Sequence, residues 1–225
     1  MAVMRLLVTG FPAFLTVRRN PSEILVRKLQ TENWRPFENC RTDYAVLPMD
    51  YDETRKIIQG FFDDDPPDVV VHLGLAVSSS AIRLEKFAKN LVFPKDPAQQ
   101  IRIEEAEEGD CGDVAADGAA RLKATLPLEK VKQALLQNDI PCVISEDAGT
   151  YLCNFASYVT AYEIRRRNSK SLSGFIHIPF TTAERDILQY CAMEKASPYL
   201  MTPEMLEQGI KTALQICAAE MQAVV

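Results

Sequence analysis

The sequence predicts an α/β fold: a doubly wound, mainly parallel sheet with helices on both faces, an α/β/α sandwich. Three observations predict it. Short strand-like segments alternate with segments of helical periodicity along the 225 residues. The run Asp68 to Leu73 (DVVVHL) carries three consecutive β-branched valines, the signature of a strand covered on both faces. Strand-to-helix alternation also requires crossover connections, and these join parallel strands. Neither an internal repeat nor a linker interrupts the pattern, so residues 1–225 read as one domain.

The elements follow in order. VMRLLVT (3–9) is a strand ending at Gly10. Asn20-Pro21-Ser22-Glu23 starts a helix, with Asn as N-cap, Pro at the first helical position and Glu three residues after the cap. Ile24, Leu25 and Leu29 are its buried stripe. Tyr44 to Leu47 is a short strand, and Tyr51 to Phe62 is a helix with Ile57, Ile58, Phe61 and Phe62 as its apolar positions. Residues 74–118 are the least regular part, with a long mobile loop at 91–118 carrying an acidic cluster at 104–110. Leu128 to Gln137 is a helix, Pro141 to Ser145 a strand, Cys153 to Arg167 a helix and Gly174 to Ile178 a strand. Thr181 with Glu184 forms a capping box. Thr202-Pro203 opens the last helix, which carries Leu206, Ile210, Leu214, Cys217 and Met221 at helical spacing.

Composition narrows the function. Apolar content of 47% and charged content of 25% are those of a globular protein. The net charge of −6 argues against nucleic acid as a partner. The one dense basic run, Arg165-Arg166-Arg167, reads as a helix C-terminus compensating its own dipole. No apolar run reaches membrane-spanning length, and the N-terminus lacks the plan of a signal peptide, which predicts a cytoplasmic protein without membrane association. Six cysteines show no C-x-x-C pair and no disulfide-scaffold spacing, so they read as free thiols.

In such sheets active sites lie at the carboxyl ends of the strands. The loops 10–20, 74–90 and 146–153 qualify. Cys153 stands where the chain leaves the turn EDAGT and enters a helix. Unpaired N–H groups and the helix dipole at such a place favour a thiolate and can hold a developing oxyanion. A buried inert cysteine is the competing reading, and placement alone leaves the two level. Only two histidines exist. His72 lies mid-sheet and reads as a buried neutral imidazole, so any Cys–His pair is Cys153 with His177, in the strand GFIHIPF. A carboxylate that orients the imidazole is required as a third group. Glu85, Asp96 and Asp147 all qualify, and a surface carboxylate paired with Lys86 or Lys89 is the plainer reading of Glu85. Cys142 and Cys217 read as core. G-x-G-x-x-G, Walker, G-x-S-x-G and H-E-x-x-H motifs are absent from the chain, and the carboxylates at 104–110 lack calcium-loop periodicity.

The segments DAGTYLCNF and GFIHIPF resemble the two signatures of the pyroglutamyl peptidase I family, cysteine peptidases that remove N-terminal pyroglutamate. VTGFPAF followed by NPS is similar to that family's opening loop, and VVVHLGLA with LEKFAKN, its Glu85 eleven residues after Gly74, is similar to its central strand and glutamate element. The tyrosine before Leu152-Cys153 resembles the eukaryotic-type branch. The resemblance implies Cys153 as nucleophile, His177 as general base and then acid, and Glu85 as the orienting carboxylate. It implies a ring pocket with Phe11, Phe14 and Tyr151 as aromatic walls and Asn20 beside them. It implies peptide substrates, assembly into homo-oligomers, and no metal or cofactor.

Departures from the family pattern fall in the pocket. Leu15 and Thr16 replace two glycines, with a proline one position early at Pro12. Leu75 stands where the bacterial pattern has a glutamine that contacts the ring. The family arginine of the loop after the glutamate element has no clear counterpart, Lys95 and Arg102 being merely basic residues nearby. These changes motivate the alternative reading, a relative of altered or lost activity that binds a ligand or a protein partner. A redox-responsive thiol protein is the third reading.

Overall fold

The computed structural model describes residues 3–14, 17–93, 111–188 and 200–224. Along these the elements are β1 (Met4–Gly10), α1 (Pro21–Thr31), β2 (Cys40–Val46), α2 (Tyr51–Gly60), β3 (Val69–Leu75), β4 (Ile82–Glu85) and β5 (Phe87–Lys89). They continue with β6 (Arg121–Lys123), α3 (Leu128–Gln137), β7 (Cys142–Ser145), α4 (Leu152–Arg166), β8 (Leu172–Ile178), α5 (Arg185–Leu188) and α6 (Pro203–Val224). Six strands form one sheet in the order β2-β1-β3-β8-β4-β7, while β5 and β6 pair separately. Every pairing in the large sheet is parallel except that of β4 with β8. The mainly parallel α/β sheet predicted from the sequence is therefore the one found.

Two apolar cores lie on the two faces. On one side α1, α3 and α6 pack their buried residues, among them Leu29, Leu135 and Leu214, against Leu6, Val71 and Ile176 of the sheet. On the other, α2 and α4 pack Ile58, Phe155 and Tyr158 against Leu7, Val70 and Phe175. Alternate residues of each strand feed opposite cores, which is why β3 is buried along its whole length.

Several local expectations change. Ile24 is 47% exposed, and the buried face of α1 is Ser22, Leu25, Val26 and Leu29. At about 100° per residue Ile24 points away from the centre of that set. Asn20 does cap α1, accepting from Ser22 N, but Glu23 pairs with Arg27 rather than closing a capping box. Ile57 is also exposed; α2 buries Tyr51, Thr54 and Ile58. Strand β2 begins earlier than expected, since Cys40 to Asp43 pair with Met4 to Leu7. Part of the supposed irregular stretch after Gly74 is β4 and β5, so strand and helix do not alternate there. Arg166 and Arg167 do more than offset a helix dipole: both bind the buried Glu163, and Arg167 also reaches Phe62 O and Asp63. Of the expected loop at 91–118, residues 94–110 lie outside the described residues.

His72 fits its expected role. It is fully buried, with Nδ1 2.7 Å from Thr9 Oγ1 and Nε2 2.7 Å from Thr160 Oγ1, a bridge from β1 through β3 to α4. Burial lowers its pKa from 6.5 to about 3, so it stays neutral in the fold. The unfolded chain takes up this proton first. Stability from this site is complete above about pH 6.5 and is lost as pH falls toward 3, by about 5 kcal/mol in all. Chemical denaturation across pH 3–7 should show this slope, and His72→Gln should flatten it relative to the parent.

Candidate active site

The site forms where β3, β8 and β4 lie side by side. His177 of β8 is in register with Gly74 on one side and with Arg83 on the other. Cross-strand partners project to the same face, so the groups above these three positions meet. Above Gly74 lies the thiol of Cys153. A Cβ at Gly74 would stand 2.9 Å from Cys153 Sγ and 2.6 Å from the Phe175 ring, so this position must lack a side chain. Two residues along β4 from Arg83, on the same face, Glu85 reaches diagonally to His177.

His177 Nδ1 donates to Glu85 Oε1 at 2.9 Å. His177 is 7% exposed and Glu85 only 1%. Among the influences on the imidazole, burial is the largest and lowers its pKa. The charge on Cys153, a hydrogen bond from the thiol side and the bond to Glu85 together outweigh it and raise the pKa to about 9. The imidazolium thus sits between a sulfur on one nitrogen and a carboxylate on the other. Glu85 is not the surface carboxylate of the plainer reading: Lys86 pairs with Glu146 and Lys89 with Asp147. Asp147 is exposed and engaged with Lys89, away from the imidazole, and Asp96 lies outside the described residues.

The helix that carries Cys153 begins at an abrupt turn. β7 ends at Ser145, the chain turns through Glu146 to Thr150, and Gly149 adopts φ +77°, a left-handed conformation that favours glycine. Tyr151 is the N-cap and provides no side-chain cap. The first intrahelical bond runs from Phe155 N to Tyr151 O, so the helix offers no acceptor to the N–H groups of Leu152, Cys153 and Asn154. The Asn154 amide clamps this end to the β5 segment, bonding Lys89 N, Lys89 O and Leu91 O. Cys153 is partly exposed, whereas Cys142 and Cys217 are buried, and burial raises both of those thiols to about 12.

Beside Cys153 a small apolar cavity of about 30 Å³ is walled by Phe11, Phe14, Asn20, Leu75 and Tyr151, with Met49 and Leu152. Phe11 leaves β1, Leu75 ends β3 and Tyr151 precedes α4, so two strand ends and a helix start contribute. Behind the wall, Tyr51 packs edge-on to Tyr151 at 5.6 Å. Asn20 has its amide already committed: Nδ2 donates to Pro12 O, and Oδ1 accepts from Ser22 N and Ser22 Oγ. It therefore holds the loop in shape. Leu15, Thr16, Lys95 and Arg102 lie outside the described residues.

A family model described as pyroglutamyl peptidase matches residues 4–220. The chain belongs to the pyroglutamyl peptidase family. It is 31% identical to a pyrrolidone-carboxylate peptidase of Coprothermobacter proteolyticus, covering 95% of this chain and 97% of that one. It is 27% identical to one of Pyrococcus furiosus, over 97% and 100%. A solved mutant pyrrolidone carboxyl peptidase from that hyperthermophile superposes with a TM-score of 0.82 at 26% identity, over 96% and 99% of the two chains. The chain is accordingly a cysteine peptidase of this family. Among its described residues no helix is long and apolar enough to cross a membrane.

Three contributors escaped the sequence reading. Met49 lies in a loop without a motif. Gly74 is visible as a strand terminus, but its closeness to the thiol is tertiary. Arg83 would have been found had IRLE been read as a strand, because residues i and i+2 then share a face with Glu85.

Gly74→Ala should displace Cys153 with little effect on the distant core. Alkylation of Cys153 by iodoacetamide at neutral pH is expected to slow on the order of tenfold or more, with the circular dichroism spectrum retained.

Proposed function

We propose that the protein hydrolyses the N-terminal pyroglutamyl group from peptides, with Cys153 as nucleophile, His177 as proton carrier and Glu85 as the carboxylate that orients it. The observation that carries this reading is the convergence of a partly exposed thiol, an imidazole of raised pKa and a buried carboxylate beside an apolar cavity, in a chain of this family. The thiolate attacks the carbonyl carbon joining pyroglutamate to the next residue. The N–H groups at the start of α4, which lack intrahelical acceptors, receive the oxyanion in this reading. His177 protonates the leaving amine as the C–N bond breaks, leaving a thioester on Cys153. Water, deprotonated by His177, then releases pyroglutamate and restores the thiol.

The cavity suits a flat, uncharged lactam ring. Aromatic and aliphatic walls gain from burying it, and a charged free α-amino group would pay heavily for entry. The free space, about 30 Å³, holds one or two waters, so a ring enters when a partly exposed wall such as Phe14 or Tyr151 turns aside. With the aliphatic Leu75 in the wall and the Asn20 amide committed, ring recognition falls to backbone groups. The acidic charge and free cysteines favour action in the cytoplasm.

A pyroglutamyl arylamide reporter tests the reading. The parent protein should release the arylamine, and Cys153→Ala should remain folded with at least a thousandfold loss. A folded Cys153→Ala protein with parental activity would overturn it. The pH dependence follows from His177. The imidazolium persists below about pH 9, so activity should hold into mildly alkaline solution and fall as pH rises through about 9. The ion-paired imidazolium stabilises the fold fully below pH 6.5, and that contribution is lost over the same rise.

A further inference from the structure

We infer that Arg83 is a positioning residue of this site: it holds the Glu85 carboxylate against His177 and ties both to the turn that delivers Cys153. The inference rests on the roles proposed above for Cys153, His177 and Glu85. Because β4 runs antiparallel to β8, Arg83 lies directly across from His177. Two cations in that relation would repel. Glu85 Oε1 stands between them, accepting from His177 Nδ1 at 2.9 Å and from Arg83 Nε at 3.3 Å. The other oxygen, Oε2, is buried without a hydrogen bond among the described residues. The orientation of the carboxylate therefore depends on the two bonds that share Oε1.

The rest of the guanidinium faces the other way. Its Nη2 donates to Ser145 Oγ at 2.6 Å and to Asp147 O at 3.2 Å. Ser145 ends β7, and its hydroxyl also accepts from Asp147 N. One planar fork thus joins the carboxylate, the last residue of β7 and the turn leading to α4. A lysine ammonium would keep the charge and lose the fork. The charged groups around it are Glu85 on β4, His177 on β8, Cys153 on α4, and Glu146 and Asp147 in the turn. Glu146 is paired with Lys86 at 2.7 Å and Asp147 with Lys89 at 2.8 Å. Glu85 is the one carboxylate in ion-pair contact with Arg83 among the described residues.

Removing this cation favours the imidazolium and disfavours the thiolate, so both limbs of a pH profile move upward. Arg83→Met and Arg83→Lys should be compared with the parent by reporter kinetics and by the pH dependence of Cys153 alkylation with iodoacetamide. Arg83→Met should lower kcat on the order of ten- to a hundredfold. KM should stay within about twofold, because Arg83 does not line the ring cavity, and both profiles should shift up by about 0.5–1 pH unit. Arg83→Lys should restore the profiles but only part of kcat. An alkylation profile for Arg83→Met that overlays the parent's, or a raised KM with unchanged kcat, would overturn the inference. If Arg83→Met does not fold, a parental kcat in Arg83→Lys overturns it and a lowered kcat with parental profiles supports it. Alkylation needs no turnover, so a parent inactive on the reporter sinks the proposed substrate while Arg83 is still judged.

Discussion

The hydrogen bond from His177 to Glu85 depends on the reversal of strand direction between β8 and β4, with β7 running alongside β4 against the other four strands. In an all-parallel sheet the neighbour of β8 would present its carboxyl end at the same edge. Here β4 enters antiparallel, so Arg83 faces His177 and Glu85 lies one diagonal away, deeper in the sheet. Depth is what makes the pairing matter. At 1% exposure the carboxylate has no water to turn to, and the imidazole proton is its principal partner. The same depth would depress the basicity of an isolated histidine. His72 shows this: it is fully buried between two threonine hydroxyls and is held neutral. Two histidines in adjacent strands thus take opposite charge states because one has anionic neighbours and the other has hydroxyls.

The thiol is held by an absence as much as by contacts. Gly74 leaves the space that Cys153 fills, and Phe175, its neighbour on β8, closes the floor with its ring 4.7 Å from that of His177. The start of α4 is then pinned from outside by Asn154 on the β5 segment, and its other end by the ion-paired Glu163, which Gln59 of α2 also bonds. A helix fixed at both ends presents its first turn to the cleft with little freedom. That keeps the Cys153 thiol at a fixed place relative to the His177 imidazole.

The cavity beside the thiol has a different character. Phe11, Asn20, Leu75 and Leu152 are buried in its walls, whereas Phe14, Met49 and Tyr151 are only partly buried. The polar side chain among them, Asn20, serves the loop by closing Pro12 and Ser22 on each other. The partly buried Phe14, Met49 and Tyr151 are thus the side chains of the wall with room to move, while Cys153 and His177 sit on a helix and a strand.

By itself the sequence determined the layered fold, the order of most elements and the register of Cys153, His177 and Glu85. Each of these follows from local information: β-branched runs, capping residues, helical spacing and four matching segments. It also left His177 as the candidate partner for the thiol, because only two histidines exist and His72 falls within the buried run VVVHLGL. Tertiary structure alone decided the rest. Ile24 and Ile57 are exposed because helix rotation is set by the faces that meet the sheet. Strand β4 was hidden in IRLE because four residues alternating charge and apolarity become a strand only beside β7 and β8. The contact of Gly74 with Cys153, and of Arg83 with Glu85, depends on the pairing of strands far apart in the chain, and no window of sequence contains that pairing.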